Sequence, residues 1–315
     1  MHGFFYIFAF HYIGRRKKMT QTKFTGLGIA LITPFNEDES IDFDALGNLL
    51  DYQLQNGIDY LVVLGTTAET PTLSEEEKKS VIQFVLNKVN GKVPIVLGCG
   101  GNNTRGIVEK LKNDDFTGID AILSVVPYYN KPSQEGIYQH FKAIAENSPV
   151  PVILYNIPGR TGVNMLPDTT IRLAREFKNI IAIKEACGNM DQINDIIKRK
   201  PKDFMVISGD DGITYPLITM GAQGVISVIG NAFPKEFGRM VRLSLQGDYE
   251  SARVIHQKFT DLFDLLFVDG NPAGAKCMLS LMGYIQNKLR LPLVPTRMVT
   301  YEKIREVLKG LNVKC

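Results

Sequence analysis

PVILYN at residues 151–156 and NIIAIK at 179–184 are short apolar runs, rich in β-branched residues, and each stops on a polar residue: Asn156 in the first and Lys184 in the second. Neither alternates apolar with polar, as a strand with one wet face does. Continuous runs of this length mark strands buried on both faces, the usual condition of a parallel sheet. Six more runs share the character: LGIALIT (27–33), DYLVVL (59–64), VPIVLG (93–98), IDAILSVV (119–126), DFMVIS (203–208) and QGVISVI (223–229).

Helix-like segments lie between them. Leu46, Leu49, Leu50 and Leu54 fall on one helical face and stop at Asn56-Gly57, a stop signal. Ser74 followed by Glu77 has the spacing of a capping box, ahead of Val81, Val85 and Val89. Asn102, Asn103, Ser133, Asp168 and Asp191 stand where later helices should begin. Eight strand–helix units, roughly 20 to 35 residues apart, predict a (β/α)8 TIM barrel, with a doubly wound open sheet as the alternative. The barrel is expected over residues 19–246. Val254, Ile255, Phe259, Leu262, Phe263 and Leu266 then recur at helical spacing, so residues 247–315 read as a C-terminal helical region packed on the barrel. Its apolar helices make oligomer contacts an expectation.

At 315 residues, 44% hydrophobic and 22% charged, the composition excludes global disorder. The net charge of +3 is local in origin. Residues 1–18 hold four of the 36 basic residues (Arg15, Arg16, Lys17, Lys18) and no acid, leaving 32 basic against 33 acidic residues. A basic face on the body of the fold, which nucleic-acid binding needs, is therefore not expected. Residues 1–18 run apolar first and basic second, the reverse of a signal peptide, and the apolar stretch is too short to span a bilayer. They read as a leader, an extended translation start or a disordered segment, with Met19 as the natural beginning; a membrane-surface anchor is the alternative. Cys99, Cys187, Cys277 and Cys315 are scattered, as in a reduced, cytoplasmic protein without disulfides or a zinc cage. His140 and His256 are too few for a His-based metal site, and no G-x-S-x-G elbow is present.

Barrel enzymes work at the C-terminal ends of their strands, and several residues there carry chemistry. Alternation aims Lys184 into the barrel mouth. Desolvation lowers an amine's pKa, and a neutral amine can attack a carbonyl to form a Schiff base; pairing with Glu185 or another acid is the competing role. Arg160 has the fork that grips a carboxylate, or a structural ion pair. Tyr155 and Tyr129 can shuttle protons through Thr66 or Thr67; otherwise the tyrosines pack and the threonines bond the turn backbone. Cys187, near Lys184, is expected to be a small buried hydrophobe. Gly98-x-Gly100 lacks the third glycine of a dinucleotide loop, since position 103 is Asn103. Asp210-Asp211 is half of a divalent-metal site or a helix cap.

GTTAE at 65–69, PYYNKP at 127–132, YNIPGRTG at 155–162 and IKEA at 183–186 occur in order, each at a strand end. Together they resemble the dihydrodipicolinate synthase (4-hydroxy-tetrahydrodipicolinate synthase) family, one of the class I pyruvate-dependent aldolases that also include N-acetylneuraminate lyase. The resemblance spans residues 22–312. It implies a lysine-biosynthetic condensation of pyruvate with L-aspartate 4-semialdehyde, with no cofactor and no metal. By similarity, Lys184 carries the Schiff base and Tyr155 moves protons with Thr66. Tyr129 enters the relay from a neighbouring subunit, so that a homo-oligomer, a dimer of tight dimers, is the functional unit. Thr67 holds the pyruvate carboxylate, Arg160 binds the semialdehyde carboxylate at the entrance, and the main-chain carbonyl of Ile226 lines the pyruvate site. Arg160 separates this branch from the sialic-acid and keto-deoxy sugar acid aldolases, which share Lys184 and Tyr155. A non-enzymatic barrel scaffold should show damage to this constellation, and none is visible.

The resemblance also bears on feedback by lysine. Asn102 and Tyr128 match lysine-sensitive relatives, but Glu75 and Lys78 replace histidines of some of them, and Gly106 stands where they carry a glutamate. Loss of that acid implies weak or absent inhibition.

Overall fold

The computed structural model describes residues 23–313; the leader at 1–18 and Cys315 lie outside them. Eight strands, β1 (Gly26–Ala30), β2 (Tyr60–Val63), β3 (Ile95–Gly98), β4 (Ala121–Val125), β5 (Val152–Asn156), β6 (Ile180–Glu185), β7 (Met205–Ser208) and β8 (Gly224–Ser227), form one closed parallel barrel in sequence order. β1 pairs with β8, with Gly26 opposite Gly224 and Ile29 opposite Ser227. Closure removes both sheet edges, which settles the choice against an open sheet.

The helices that follow the strands are α1 (Phe43–Gln55), α2 (Glu75–Val89), α3 (Thr104–Asn113), α4 (Gln134–Asn147), α5 (Pro158–Thr161), α6 (Pro167–Glu176), α7 (Met190–Arg199), α8 (Thr214–Met220) and α9 (Pro234–Gln246). Beyond the barrel come α10 (Tyr249–Lys258), α11 (Thr260–Leu265), α12 (Ala273–Leu281) and α13 (Met298–Gly310). The start or stop signals act as expected in four of these. Ser74 and Glu77 form the reciprocal capping box of α2, Asn103 caps α3 and Ser133 caps α4, while Asn56 ends α1. Two were displaced. Asp168 sits inside the first turn of α6, whose cap position is Leu166 with Pro167 next. Asp191 likewise lies inside α7, which Asn189 caps. Both acids still face a helix N-terminus, where the dipole favours them.

Two apolar layers result. The barrel interior is filled by Tyr60, Val62, Val96, Leu123, Ile153, Tyr155, Ile207 and Ile226 among others. A larger layer between strands and helices holds the remaining core. Phe233 and Phe237, at the start of α9, pack on Phe259 with ring centroids 5.1 and 6.1 Å away, and Phe237 lies 6.1 Å from Phe263. This aromatic cluster seats α10 and α11 on the barrel.

Gly28 shows how tightly the interior is filled. A Cβ there would stand 2.2 Å from the ring of Tyr60, which is fully buried and donates its hydroxyl to the Val225 carbonyl at 3.2 Å. Gly28→Ala is therefore expected to lower stability by about 1–3 kcal/mol through overpacking, read as a lower urea midpoint. Adding Tyr60→Val should recover part of the loss.

Candidate active site

The β5–β6 ladder sets Tyr155 opposite Lys184 and Asn156 opposite Glu185. Successive strand residues face opposite sides, so Tyr155 and Lys184 share one side of the sheet. The Lys184 Nζ lies 4.4 Å from the centre of the Tyr155 ring, and each residue is only 5% exposed. Burial pushes the Lys184 ammonium down to about 8, against the pull of the Asp211 carboxylate and helped by the charge of Arg160. Burial likewise pushes the Tyr155 phenol up to about 12, countered by Arg160 and by a hydrogen bond with Thr66.

Glu185 does not neutralise the lysine. Its carboxylate accepts from Asn156 Nδ2 at 3.0 Å and from the Cys187 N–H at 3.3 Å, and burial raises it to about 7. The pairing role for Lys184 thus finds no partner in Glu185. Cys187 is partly buried rather than fully so, and burial pushes its thiol up to about 12, which keeps it protonated and unreactive.

Asp211, on the 3-10 turn after β7, is buried and accepts the N–H groups of Val228 at 2.9 Å and Ile229 at 2.8 Å. Burial raises it to about 6. Asp210 caps the same turn through the Gly212 N–H at 2.9 Å. The capping alternative therefore describes Asp210, and Asp211 ties β7 to the end of β8. Among the described residues no group of three His, Cys, Asp or Glu could hold a metal ion. Gly209 leaves space for the lysine: a Cβ there would stand 3.0 Å from Lys184 Cε and 2.8 Å from the Ala186 Cβ.

The loop after β2 is wound as two 3-10 turns, Thr66–Ala68 and Thr70–Thr72, joined by Glu69 at φ 55°. Thr66 opens to the mouth, whereas Thr67 is buried and its Oγ1 accepts from Asn271 Nδ2 at 3.0 Å. Ile226, 1% exposed, sits on β8 opposite Gly28. Arg160 lies on α5, exposed, and is in none of the ion pairs found among the described residues. Its charge nonetheless reaches Tyr155 and Lys184. The structure thus gathers Lys184, Tyr155, Thr66 and Arg160. Tyr129 is different: it has φ 73° and is 89% exposed, outside the buried cluster of its own chain.

Sequence reasoning missed two features here. One is Asn271, just ahead of α12, which no motif marked. The other is a buried pair, Lys276 Nζ with Glu69 Oε1 at 2.6 Å, both side chains fully enclosed. Proximity of residues two hundred positions apart leaves no local pattern; the only hint was a lysine inside the otherwise apolar stretch AGAKCML at 273–279.

A closed (β/α)8 barrel that holds a water-stripped lysine amine beside a phenol has the equipment of lysine-dependent barrel enzymes acting on carbonyl compounds. The profile of the Dihydrodipicolinate synthetase family matches residues 23–311, and the chain belongs to that family. It is 72% identical over 297 residues to the 4-hydroxy-tetrahydrodipicolinate synthase of Parabacteroides distasonis, covering 94% of this chain and all of the relative. The Phocaeicola vulgatus synthase of the same name is 68% identical over the same coverage. The crystal structure of dihydrodipicolinate synthase from Aquifex aeolicus superposes with a TM-score of 0.89 at 44% identity, covering 92% of this chain and 99% of that one. The chain is accordingly an enzyme of this family.

A lysine held at about 8 is mostly the free amine above that pH and loses that form progressively below it. The second-order rate of Schiff-base formation should therefore rise with pH and level off above about 8. In Asp211→Asn the amide still accepts backbone N–H groups but no longer favours the ammonium, so the inflection should move to lower pH. Stopped-flow rates across a pH series would show both, and an unmoved inflection would discount the Asp211 charge.

Proposed function

We propose that this chain condenses pyruvate with L-aspartate 4-semialdehyde to give 4-hydroxy-tetrahydrodipicolinate, a step of lysine and diaminopimelate biosynthesis, and that Lys184 carries the reaction as a Schiff base. The observation that bears the reading is the buried Lys184 amine, lowered to about 8, with the Tyr155 ring 4.4 Å away.

The free amine of Lys184 adds to the pyruvate carbonyl, and the new hydroxyl takes a proton from the Tyr155 phenol and leaves as water, giving an iminium. The positive nitrogen makes the adjoining methyl group acidic. The relay of Tyr155 and Thr66 takes its proton and leaves an enamine. The enamine carbon attacks the aldehyde, whose oxygen takes a proton from the relay. The amine of the second substrate then attacks the iminium carbon and releases Lys184 as the ring closes. Thr67 holds the pyruvate carboxylate, the main-chain carbonyl of Ile226 lines the same pocket, and Arg160 meets the carboxylate of the semialdehyde. No step calls for a metal or an organic cofactor.

Tyr129 completes the relay from a neighbouring copy. Its 89% exposure and left-handed backbone fit a side chain held out toward another subunit, since such a conformation costs a non-glycine residue energy unless contacts repay it. The assembly proposed is a dimer of tight dimers. A cytoplasmic location with no membrane partner is part of the proposal; among the described residues no helix is long and apolar enough to cross a membrane. The unit boundaries near residues 18 and 246 belong to this reading too.

Borohydride reduction with pyruvate should add a pyruvate-derived mass to the peptide containing Lys184, and none to Lys184→Ala. An unmodified Lys184 would falsify the mechanism. Condensation with aspartate semialdehyde, assayed beside cleavage of N-acetylneuraminate, decides the branch, and only the first should proceed at an appreciable rate.

Weak or absent inhibition by lysine is part of the proposal. Glu75 is engaged by Lys78 at 2.7 Å and Lys110 at 3.5 Å, and Gly106 offers no acid to a cationic ligand. Calorimetric titration with lysine should show no tight saturable binding.

A further inference from the structure

The Asn271–Thr67 contact joins a residue of the C-terminal helical region to the loop that opens the site. Asn271 precedes α12 and is only 5% exposed. Its Nδ2 donates to Thr67 Oγ1 at 3.0 Å, and its Oδ1 is buried with no hydrogen-bond partner among the described residues. A hydroxyl offers one proton and two lone pairs. With a lone pair taken by the amide, the Thr67 proton is turned away from Asn271, and no acceptor among the described residues takes it. A buried hydroxyl in that state donates to whatever acceptor enters the pocket.

The frame around this contact is rigid. Lys276, four residues after Pro272, pairs with Glu69 at 2.6 Å and donates to the Lys288 carbonyl at 2.9 Å. The other Glu69 oxygen accepts the Arg290 N–H at 3.1 Å. Arg290 grips Glu77 through Nη1 at 2.8 Å and Nη2 at 2.6 Å and also bonds the Thr72 carbonyl at 2.9 Å. Asn271 and Thr67 thus sit on segments cross-braced by buried charge. Removal of one member of such a pair is costly, so the brace keeps their separation fixed.

We propose that Asn271 is a positioning residue for ketoacid binding: it holds the Thr67 hydroxyl with its proton aimed at the substrate carboxylate. The inference rests on the reading of Thr67 given above. A hydrogen bond to a charged group stabilises by about 1.5–3 kcal/mol, equivalent to roughly a 10- to 150-fold effect on binding. Loss of the orientation, rather than of the hydroxyl itself, belongs at the lower end.

The test compares steady-state kinetics of Asn271→Ala, Asn271→Asp, Thr67→Val and the double variant Asn271→Ala/Thr67→Val, each checked for an unchanged thermal midpoint and an unchanged KM for aspartate semialdehyde. Asn271→Ala should raise the pyruvate KM about tenfold with kcat within about threefold. Asn271→Asp keeps the shape but replaces the donor with an acceptor, which draws the Thr67 proton toward itself, so its pyruvate KM should rise at least as far. This near-isosteric variant also serves if the alanine variant fails to fold. The double variant should bind pyruvate no worse than Thr67→Val alone. An unchanged pyruvate KM in both Asn271 variants overturns the proposal, as does an effect that multiplies with that of Thr67→Val. Borohydride trapping of pyruvate on the wild-type enzyme is run in parallel. Its failure overturns the Schiff-base reading, whereas trapping with no Asn271 effect overturns the positioning role alone.

Discussion

An amine that must lose its proton near neutral pH has to be stripped of water, and the rest of this molecule is arranged around that requirement for Lys184. Opening the barrel, or shortening β6, would return solvent to the nitrogen and with it the ordinary lysine pKa. Closure alone is insufficient, because the stem also needs room. Gly209 supplies that room where any side chain would press on Lys184 Cε. Glu185, one residue along, is turned to the other face and occupied by Asn156 and Cys187, so an acid sits next in sequence without quenching the amine. Asp211 provides a mild opposing pull from the neighbouring strand end.

The C-terminal helical region is more than a cover. Its aromatic cluster with Phe233 and Phe237 is ordinary apolar packing, whereas Asn271, Lys276 and Arg290 reach the loop that carries Thr66 and Thr67. Buried polar contacts of this kind contribute little net stability but penalise alternative arrangements heavily. They suit a loop whose job is to hold hydroxyls at fixed positions.

Much of this was legible in the sequence, for reasons that differ by residue. The eight strands showed because strands buried on both faces must be continuously apolar, as PVILYN and NIIAIK are. The helix starts showed where a side chain makes the cap, at Ser74, Asn103 and Ser133. They were misplaced where a first-turn acid imitates a cap, at Asp168 and Asp191. Lys184 was visible because it ends an apolar run and alternation aims it into the mouth, and Tyr155 because it lies at a strand end beside Asn156. That the two share a side follows from the β5–β6 register. Asn271 and the Lys276–Glu69 pair were not visible, since contacts formed by tertiary closure leave no spacing to read. Asp211 was seen only as a possible cap or half of a metal site, because its acceptor role for Val228 and Ile229 exists only once β7 and β8 lie side by side.

The pairing of β1 with β8 sets an order on the birth of the protein. Gly26 finds its partner only when Gly224 is available, so a nascent chain leaving the ribosome carries an incomplete sheet with two open edges through most of its synthesis. Contacts this distant in sequence form slowly and leave apolar strands exposed meanwhile. The links from Asn271, Lys276 and Arg290 come later still. Nearly the whole polypeptide must therefore emerge before any molecule can turn over substrate, and a chain released early is, for the cell, a barrel without a finished mouth.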